Sequence, residues 1–473
     1  MHCLAENQTH DYLGIPIGAK LQFRTDSNLT SLLDKLKDSG LAPWQKLEVY
    51  RTNLLPSLSH HMASGYCTKE RLHSLDIECR KFLRSITSVP EQTSNEFFYA
   101  DRRVGGLGTF KLTDESDIWT VARASQLITS RDPIIRSIFR EQLLSTIQKA
   151  FHKEDVPNPL PITAFLSGST EGGMYRLRFG PNPVKTVWSL ARDAARRLKA
   201  RVDVSGDWNT FIVADDVRVR PCKAVKGLHT AGRQHHTRSF TEIPHQGTVA
   251  TTLALESSTS KDIAMMTSCR STLSHEDWPL LFRARLDMLP LRGYPWANFE
   301  LKTCRHCCSG YETTSHVIND CRHNLQQYTE RHNTIQDELA SLLEKLGITT
   351  TINKRLPELD SHGRQRRPDI EFSLASSRLM IDVTVAFDRS DNVSSAYQRK
   401  IDRYKTFGTI KPLVVGSLGF WHPKNDEIRS IIAINPRLWV NFRRKARTIA
   451  IQHSLAIIRD HIRASPTLST LSQ

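Results

Sequence analysis

The sequence contains no apolar run of transmembrane length, which removes a membrane-spanning helix from the expected architecture. Its first residues, Met1 to Glu6, show no basic stretch followed by an apolar core, so no signal peptide is expected. Internal repeats and low-complexity tracts are also missing, which argues against a solenoid or a disordered array. The nine cysteines are not spread like a disulfide framework. Four of them, Cys304, Cys307, Cys308 and Cys321, fall in one short segment, which suggests metal binding in a reducing compartment. Acid is the scarcer charge: 49 Asp and Glu stand against 65 Lys and Arg, a net +16. Such a surface favours a polyanion. Nucleic acid ranks above anionic membrane, because no stretch joins a basic face to a Trp- or Leu-rich one. An intracellular protein is expected, nuclear if its target is DNA.

The 473 residues, 39% of them hydrophobic, suffice for roughly two to four domains. Residues 1–150 read as helical after an extended piece with a turn, Tyr12 to Gly18. Helices are expected over 29–37 and 44–55, the latter opened by Pro43. Over 69–86, Leu72, Leu75, Cys79, Phe82, Leu83 and Ile86 recur at helical spacing behind Thr68 as N-cap. Gly105 to Gly108 break the pattern, and helices resume over 118–128 and 134–150. Residues 151–270 read as an irregular linker, rich in Pro and Gly. It carries one basic helix near 187–201, with Arg192, Arg196, Arg197, Lys199 and Arg201 either solvated or facing phosphate. Within it, 223–260 is dense in Ser, Thr, His and Gly and reads as a long loop. Residues 271–340 hold the Cys/His cluster, a helix follows over 333–346, and 341–473 read as α/β.

Cys304-x2-Cys307, His316 and then x4-Cys321 make a CCHC set, four soft or borderline ligands of the kind a tetrahedral zinc ion takes. Cys308 is an alternative to Cys307. With all four positions filled by protein, such a zinc is structural rather than catalytic.

The C-terminal part carries a second chemistry. Ile370, Phe372 and Leu374 alternate with Asp369, Glu371 and Ser373, and after a turn at 375–378 a second alternating run extends to Phe387. Two period-2 runs joined by a short turn predict a hairpin. It can bring Asp369 and Asp382 together, and facing carboxylates call for a divalent cation such as magnesium. A helix over 395–407 offers Lys400 and Arg403 within one turn, with Glu371 as an auxiliary carboxylate. The spacing Pro-Asp-x12-Asp-x-Thr is similar to the PD-(D/E)xK nuclease pattern, with Thr384 where lysine usually stands and Lys400 as its replacement. Arg443, Arg444, Lys445 and Arg447 form a basic run suited to the DNA backbone. Trp421 reads as a core residue rather than a base-stacking one.

In order along the chain, these stretches resemble the C-terminal portion of site-specific non-LTR retrotransposon proteins. Tyr12 to Gly18 resembles the segment entering the reverse-transcriptase thumb, and Gly105 to Gly108 a thumb motif. Cys304 to Cys321, with Arg331-His332-Asn333 after it, is similar to the family's zinc knuckle and the segment that follows. Arg367-Pro368-Asp369, Asp382-Val383-Thr384 and Lys400-x2-Arg403-Tyr404 are similar to its restriction-like endonuclease motifs. The resemblance implies a multidomain α + α/β protein: a helical thumb-like domain over 1–150, the linker over 151–270, a small zinc knuckle within 271–340, and an endonuclease-like α/β domain over 341–473. It implies nicking of double-stranded target DNA for target-primed reverse transcription, with Asp369 and Asp382 as catalytic carboxylates, Lys400 and Arg403 as basic partners, structural zinc and catalytic magnesium. The element's RNA is a further candidate partner, and a non-catalytic nucleic-acid-binding remnant is the competing reading. No polymerase palm precedes Tyr12. Asp215-Asp216 lies after the thumb-like segment, so it reads as coincidence, and polymerisation by this chain alone is not expected.

Overall fold

The computed structural model describes residues 8–12, 15–18, 25–63, 68–151, 159–169, 171–172, 175–176, 186–256, 260–265, 272–297, 299–359, 363–374 and 377–463. It is mixed helical with small sheets. Among the described residues, no helix is long and apolar enough to cross a membrane.

The chain opens on an antiparallel hairpin, Thr9–Tyr12 against Ile15–Gly18. Helices follow over Thr25–Asp38, Pro43–Val49 and Leu55–Ala63, the last two joined by a π-turn. Next come α1 (Lys69–Thr87), α2 (Leu112–Ile128) and α3 (Pro133–Phe151). The apolar positions read from α1 are its buried ones, and Thr68 caps it by accepting from the Arg71 N–H at 3.3 Å. Between α1 and α2 the glycine-rich turn is sterically required. Gly105 sits at φ +88°, and a Cβ on Gly106 would lie 2.4 Å from the Ala100 carbonyl oxygen.

Residues 151–270 differ from expectation. They contain α4 (Val187–Arg197), an antiparallel sheet of β1 (Arg201–Val204), β2 (Thr210–Ala214) and β3 (Val217–Val219), and then α5 (Ala224–Thr241). The stretch read as a long loop is therefore largely helix. Its inner face is built from small residues (Ala224, Gly227 and Ala231 beside Leu228), so it lacks the bulky apolar period that marks most buried helices. Gly227 is packed so closely that a Cβ there would meet Val219 at 2.6 Å. Trp188, Ala191, Val202, Ile212 and Leu228 share one core with Ile118, Val121, Leu143 and Ile147. One hydrophobic core thus runs across the boundary expected at residue 150.

The basic helix α4 commits Arg192 and Arg197 to internal partners, while Arg196, Lys199 and Arg201 stay exposed. Arg192 donates to the carbonyls of Phe165 and Ser169 at 3.1 and 2.7 Å, and Arg197 forks onto Asp117 at 2.9 and 2.7 Å. Asp215 lies in the β2–β3 turn at φ +52° and pairs with Arg238, a hairpin turn rather than a palm.

The C-terminal region holds α6 (Leu325–Lys345), β4 (Thr351–Ile352), β5 (Ile370–Leu374), β6 (Ser377–Ala386), α7 (Ser390–Tyr404), β7 (Thr409–Gly416) and α8 (Pro436–Arg463). The sheet order is β7-β6-β5-β4. β5 and β6 form the antiparallel hairpin read from the alternation; of its turn, residues 375–376 lie outside those described. β6, α7 and β7 make a βαβ crossover with β6 and β7 parallel. Trp421 is fully buried, edge-on to Trp439, in the core that α6 and α8 form against the sheet.

A buried polar network joins this region to the middle of the chain. Arg285 donates from Nε and Nη2 to the Leu418 carbonyl at 3.1 and 2.7 Å. Asp388 accepts from the N–H groups of Leu418 and Phe420 at 2.6 and 2.7 Å. Glu256 accepts from the Trp421 N–H at 2.6 Å and pairs with Arg447. Each of these buried charged groups has at least one polar partner, which burial at this depth demands.

Candidate nuclease and metal centres

The β5–β6 register determines the first site. Its last pair is Ile370 with Ile381, so one step further Asp369 faces Asp382. Both carboxyls are buried. The Val383 N–H donates to Asp369 Oδ2 at 2.6 Å, and His332 Nε2 on α6 lies 3.0 Å from the same oxygen and 3.2 Å from the Val383 carbonyl. Both neighbours of Nε2 accept, so that nitrogen carries the ring proton. Lys400 on α7 places Nζ 2.8 Å from Asp382 Oδ2. Tyr404, one turn on, donates to the Arg367 carbonyl at 2.9 Å and so fixes α7 against the residues leading into Asp369.

The electrostatics follow from two carboxyls sharing a dry seat. Burial, and then the facing Asp369, push Asp382 well above the carboxylate range, with Lys400 opposing. Burial also works against ionised Asp369, but the His332 hydrogen bond and its neighbours outweigh it and hold Asp369 low. His332 is raised in turn: burial disfavours its charge and Asp369 overcomes that. A proton or a cation between the two carboxyls relieves this opposition. The buried Thr384 Oγ1, two residues beyond Asp382, has no hydrogen-bond partner. Two carboxylates and a hydroxyl are the hard oxygen donors that magnesium takes.

Asp369, Asp382 and Lys400 are thus brought together, and Arg403 is not. It is exposed, its guanidinium 5.9 Å from the centre of the Tyr404 ring, and no ion pair links it to either carboxylate. Glu371 shares the face of Asp369 but is held by Arg378 at 2.7 Å. His332 is the group that residue-by-residue reading missed as a site member. Its only sequence signal was its place in the Arg331-His332-Asn333 stretch.

The second site is the cysteine cluster. The ligand atoms of Cys304, Cys307, His316 and Cys321 all lie within 4.8 Å of one another, a group that could hold a metal ion. Cys307 Sγ is 3.2 Å from His316 Nε2, and Cys304 Sγ is 3.8 Å from Cys321 Sγ. Cys308 is exposed at φ +53° and falls outside the group. Burial pushes the Cys321 thiol up to about 12. Next to this group, Cys304 also neighbours the fully buried His461 of α8, whose Nε2 is 3.1 Å from Glu312 Oε1. Arg305 closes the network on Glu312 at 2.8 Å.

The basic run of α8 is corrected. Arg447 is fully buried against Glu256, and Arg443 is buried against Asp262 at 2.8 Å. Arg444 also reaches Asp262 at 2.8 Å, and Lys445 reaches Glu338 at 2.5 Å. A 3.6-residue period places 443 and 447 on the inner side of α8, so these two do not belong to a solvated face.

No protein-family model matches the chain. It is 22% identical over 442 residues to a Retrovirus-related Pol polyprotein from type-1 retrotransposable element R2 of Popillia japonica, covering 90% of this chain and 60% of that protein. A second such polyprotein of the same organism is 24% identical over 474 residues, covering 97% and 82%. The Pol polyprotein from type-2 retrotransposable element R2DM of Drosophila melanogaster is 23% identical over 397 residues, covering 83% of this chain and 31% of that protein. The resemblance to non-LTR retrotransposon proteins is therefore borne out over most of the chain.

Proposed function

Taking relationship to R2 non-LTR retrotransposon Pol polyproteins as the premise, we propose that this chain is a metal-dependent endonuclease that nicks double-stranded target DNA in the nucleus, for target-primed reverse transcription. The observation that carries the proposal is Asp369 facing Asp382 across a buried hairpin with the Lys400 ammonium 2.8 Å away. Asp369 and Asp382, with Thr384 beside them, are the residues that would hold magnesium. When bound, it supplies charge neutralisation and a more acidic water. Lys400 orients the attacking water and neutralises charge building on the phosphodiester. His332 keeps the Asp369 carboxylate turned toward Asp382. Cys304, Cys307, His316 and Cys321 hold a zinc ion that is structural.

The test is nicking of supercoiled plasmid by the full chain in magnesium, beside Asp382→Ala. A loss of about a thousandfold, about 4 kcal/mol of transition-state stabilisation, is expected in the variant. Circular dichroism and zinc content matching the parent serve as the folding control. Nicking by neither protein, with both folded and still binding DNA, would leave a nucleic-acid-binding remnant instead.

A further inference from the structure

Away from both centres, the exposed side of α5 forms one wall of two adjoining cavities. The smaller, about 540 Å3, is lined at 223, 226, 230 and 233, a helical stripe of Lys223, Lys226, Thr230 and Arg233, with His229 and no acidic side chain. The larger, about 680 Å3, meets it at Arg233 and adds Arg51, Arg102, Arg103 and Lys261 against Glu48 and Asp101. Those two acids are engaged: Glu48 holds Arg51 at 2.9 Å, and Asp101 holds Arg103 at 2.8 Å. Lys223, Lys226, Arg102, Arg233 and Lys261 have no ion-pair partner among the described residues. Five cations without an ion-pair partner, crowded around two cavities that share Arg233, repel one another, an arrangement that an anionic ligand relieves. Phe110 lines the larger cavity, with the Arg233 guanidinium 6.0 Å from its ring centre.

We propose that this trough is a binding site for single-stranded nucleic acid, held through its phosphodiester backbone by Lys223, Lys226, Arg102, Arg233 and Lys261. Within the stripe, Lys226 and Arg233 are seven residues apart, about 10 Å along the helix axis, within reach of neighbouring phosphates on one strand. Phe110 packs against His229, ring centres 4.9 Å apart, and with Arg233 gives the trough an apolar side that a base can contact without its identity being read. Binding there is independent of sequence and steep in salt, and it rests on none of the residues assigned to cleavage.

The experiment is fluorescence anisotropy of the full chain with 20-nucleotide single-stranded RNA, single-stranded DNA and duplex DNA across a salt series. The variant is Arg102→Gln/Lys226→Gln/Arg233→Gln/Lys261→Gln. For single strands, each removed cation should lower the slope of log K against log salt by about 0.7 and weaken binding about fivefold at 0.1 M salt. Arg437→Gln, an exposed cation on α8, should leave single-strand binding unchanged. A loss shared by RNA and DNA strands supports the site as a backbone reader, and a loss for one alone identifies the strand it takes. Parent-like binding of both single strands by the quadruple variant overturns the proposal, as does a loss confined to the duplex.

Discussion

Two basic stretches of this chain look alike in sequence and differ in space. Arg443, Arg444, Lys445 and Arg447 on α8 are each matched by a carboxylate from elsewhere: Asp262, Glu338 or Glu256. Lys223, just before α5, and Lys226 and Arg233 on it line a cavity with no acid of its own. The first stretch is denser in charge and the more tempting nucleic-acid contact, yet Arg443 and Arg447 are buried inside the fold and all four cations are paired. The second lies in a segment whose composition resembles a loop. Charge density along a sequence therefore says little about charge available at a surface; that depends on where the acids land.

The comparison can be broken first at Arg447. Its removal as Arg447→Ala takes the paired cation from Glu256, whose side chain is fully buried, and should cost about 3–5 kcal/mol. A fall in the urea midpoint would register this, and an unchanged midpoint would mean that Arg447 is not the internal counter-ion described above. The next test lies on the inner side of α5. His236 Nδ1 is 2.6 Å from Glu96 and its Nε2 is 3.0 Å from Asp114. Burial opposes its charge, but the two carboxylates overcome that and raise it from 6.5 to about 9. A folded-state value above the unfolded one stabilises fully below pH 6.5, and the gain drains away as pH climbs through about 9. Up to about 3 kcal/mol should be lost across that window. His236→Gln should flatten the fall in thermal midpoint between pH 6 and pH 9.5, and a variant as steep as the parent would assign the dependence to another group. The smallest effect belongs to the outer side. Lys226→Gln and Arg233→Gln, both exposed, should each move stability by no more than about 0.5 kcal/mol while weakening single-strand binding. Parallel losses of stability and binding would erase the distinction between the two stretches.

What the sequence disclosed follows the same division between local and distant information. The helix over 69–86, its Thr68 cap and the β5–β6 hairpin were legible because period and capping act within a few residues. The spacing of Asp369 and Asp382 was legible because hairpin register is local as well. That Cys307 rather than Cys308 joins the group was not, since it turns on backbone conformation at Cys308. His332 contacts Asp369 from a helix 37 positions earlier, and no periodicity reports that distance. Glu256 and Arg447 are 191 positions apart, which is why the inward turn of the α8 run stayed hidden. α5 escaped for a different reason. Small residues fill its buried face and polar ones its outer face, so its amphipathicity lies in side-chain size rather than in hydropathy.

The 28-residue helix α8 spans about 42 Å. One end carries Trp439 and Phe442 into the core behind the sheet, and the other seats His461 against Cys304 and Glu312. A continuous helix of that length transmits displacement as a strut does: it cannot shorten without giving up backbone hydrogen bonds. The cysteine cluster and the core beneath the hairpin that bears Asp369 and Asp382 are therefore braced on one rigid element.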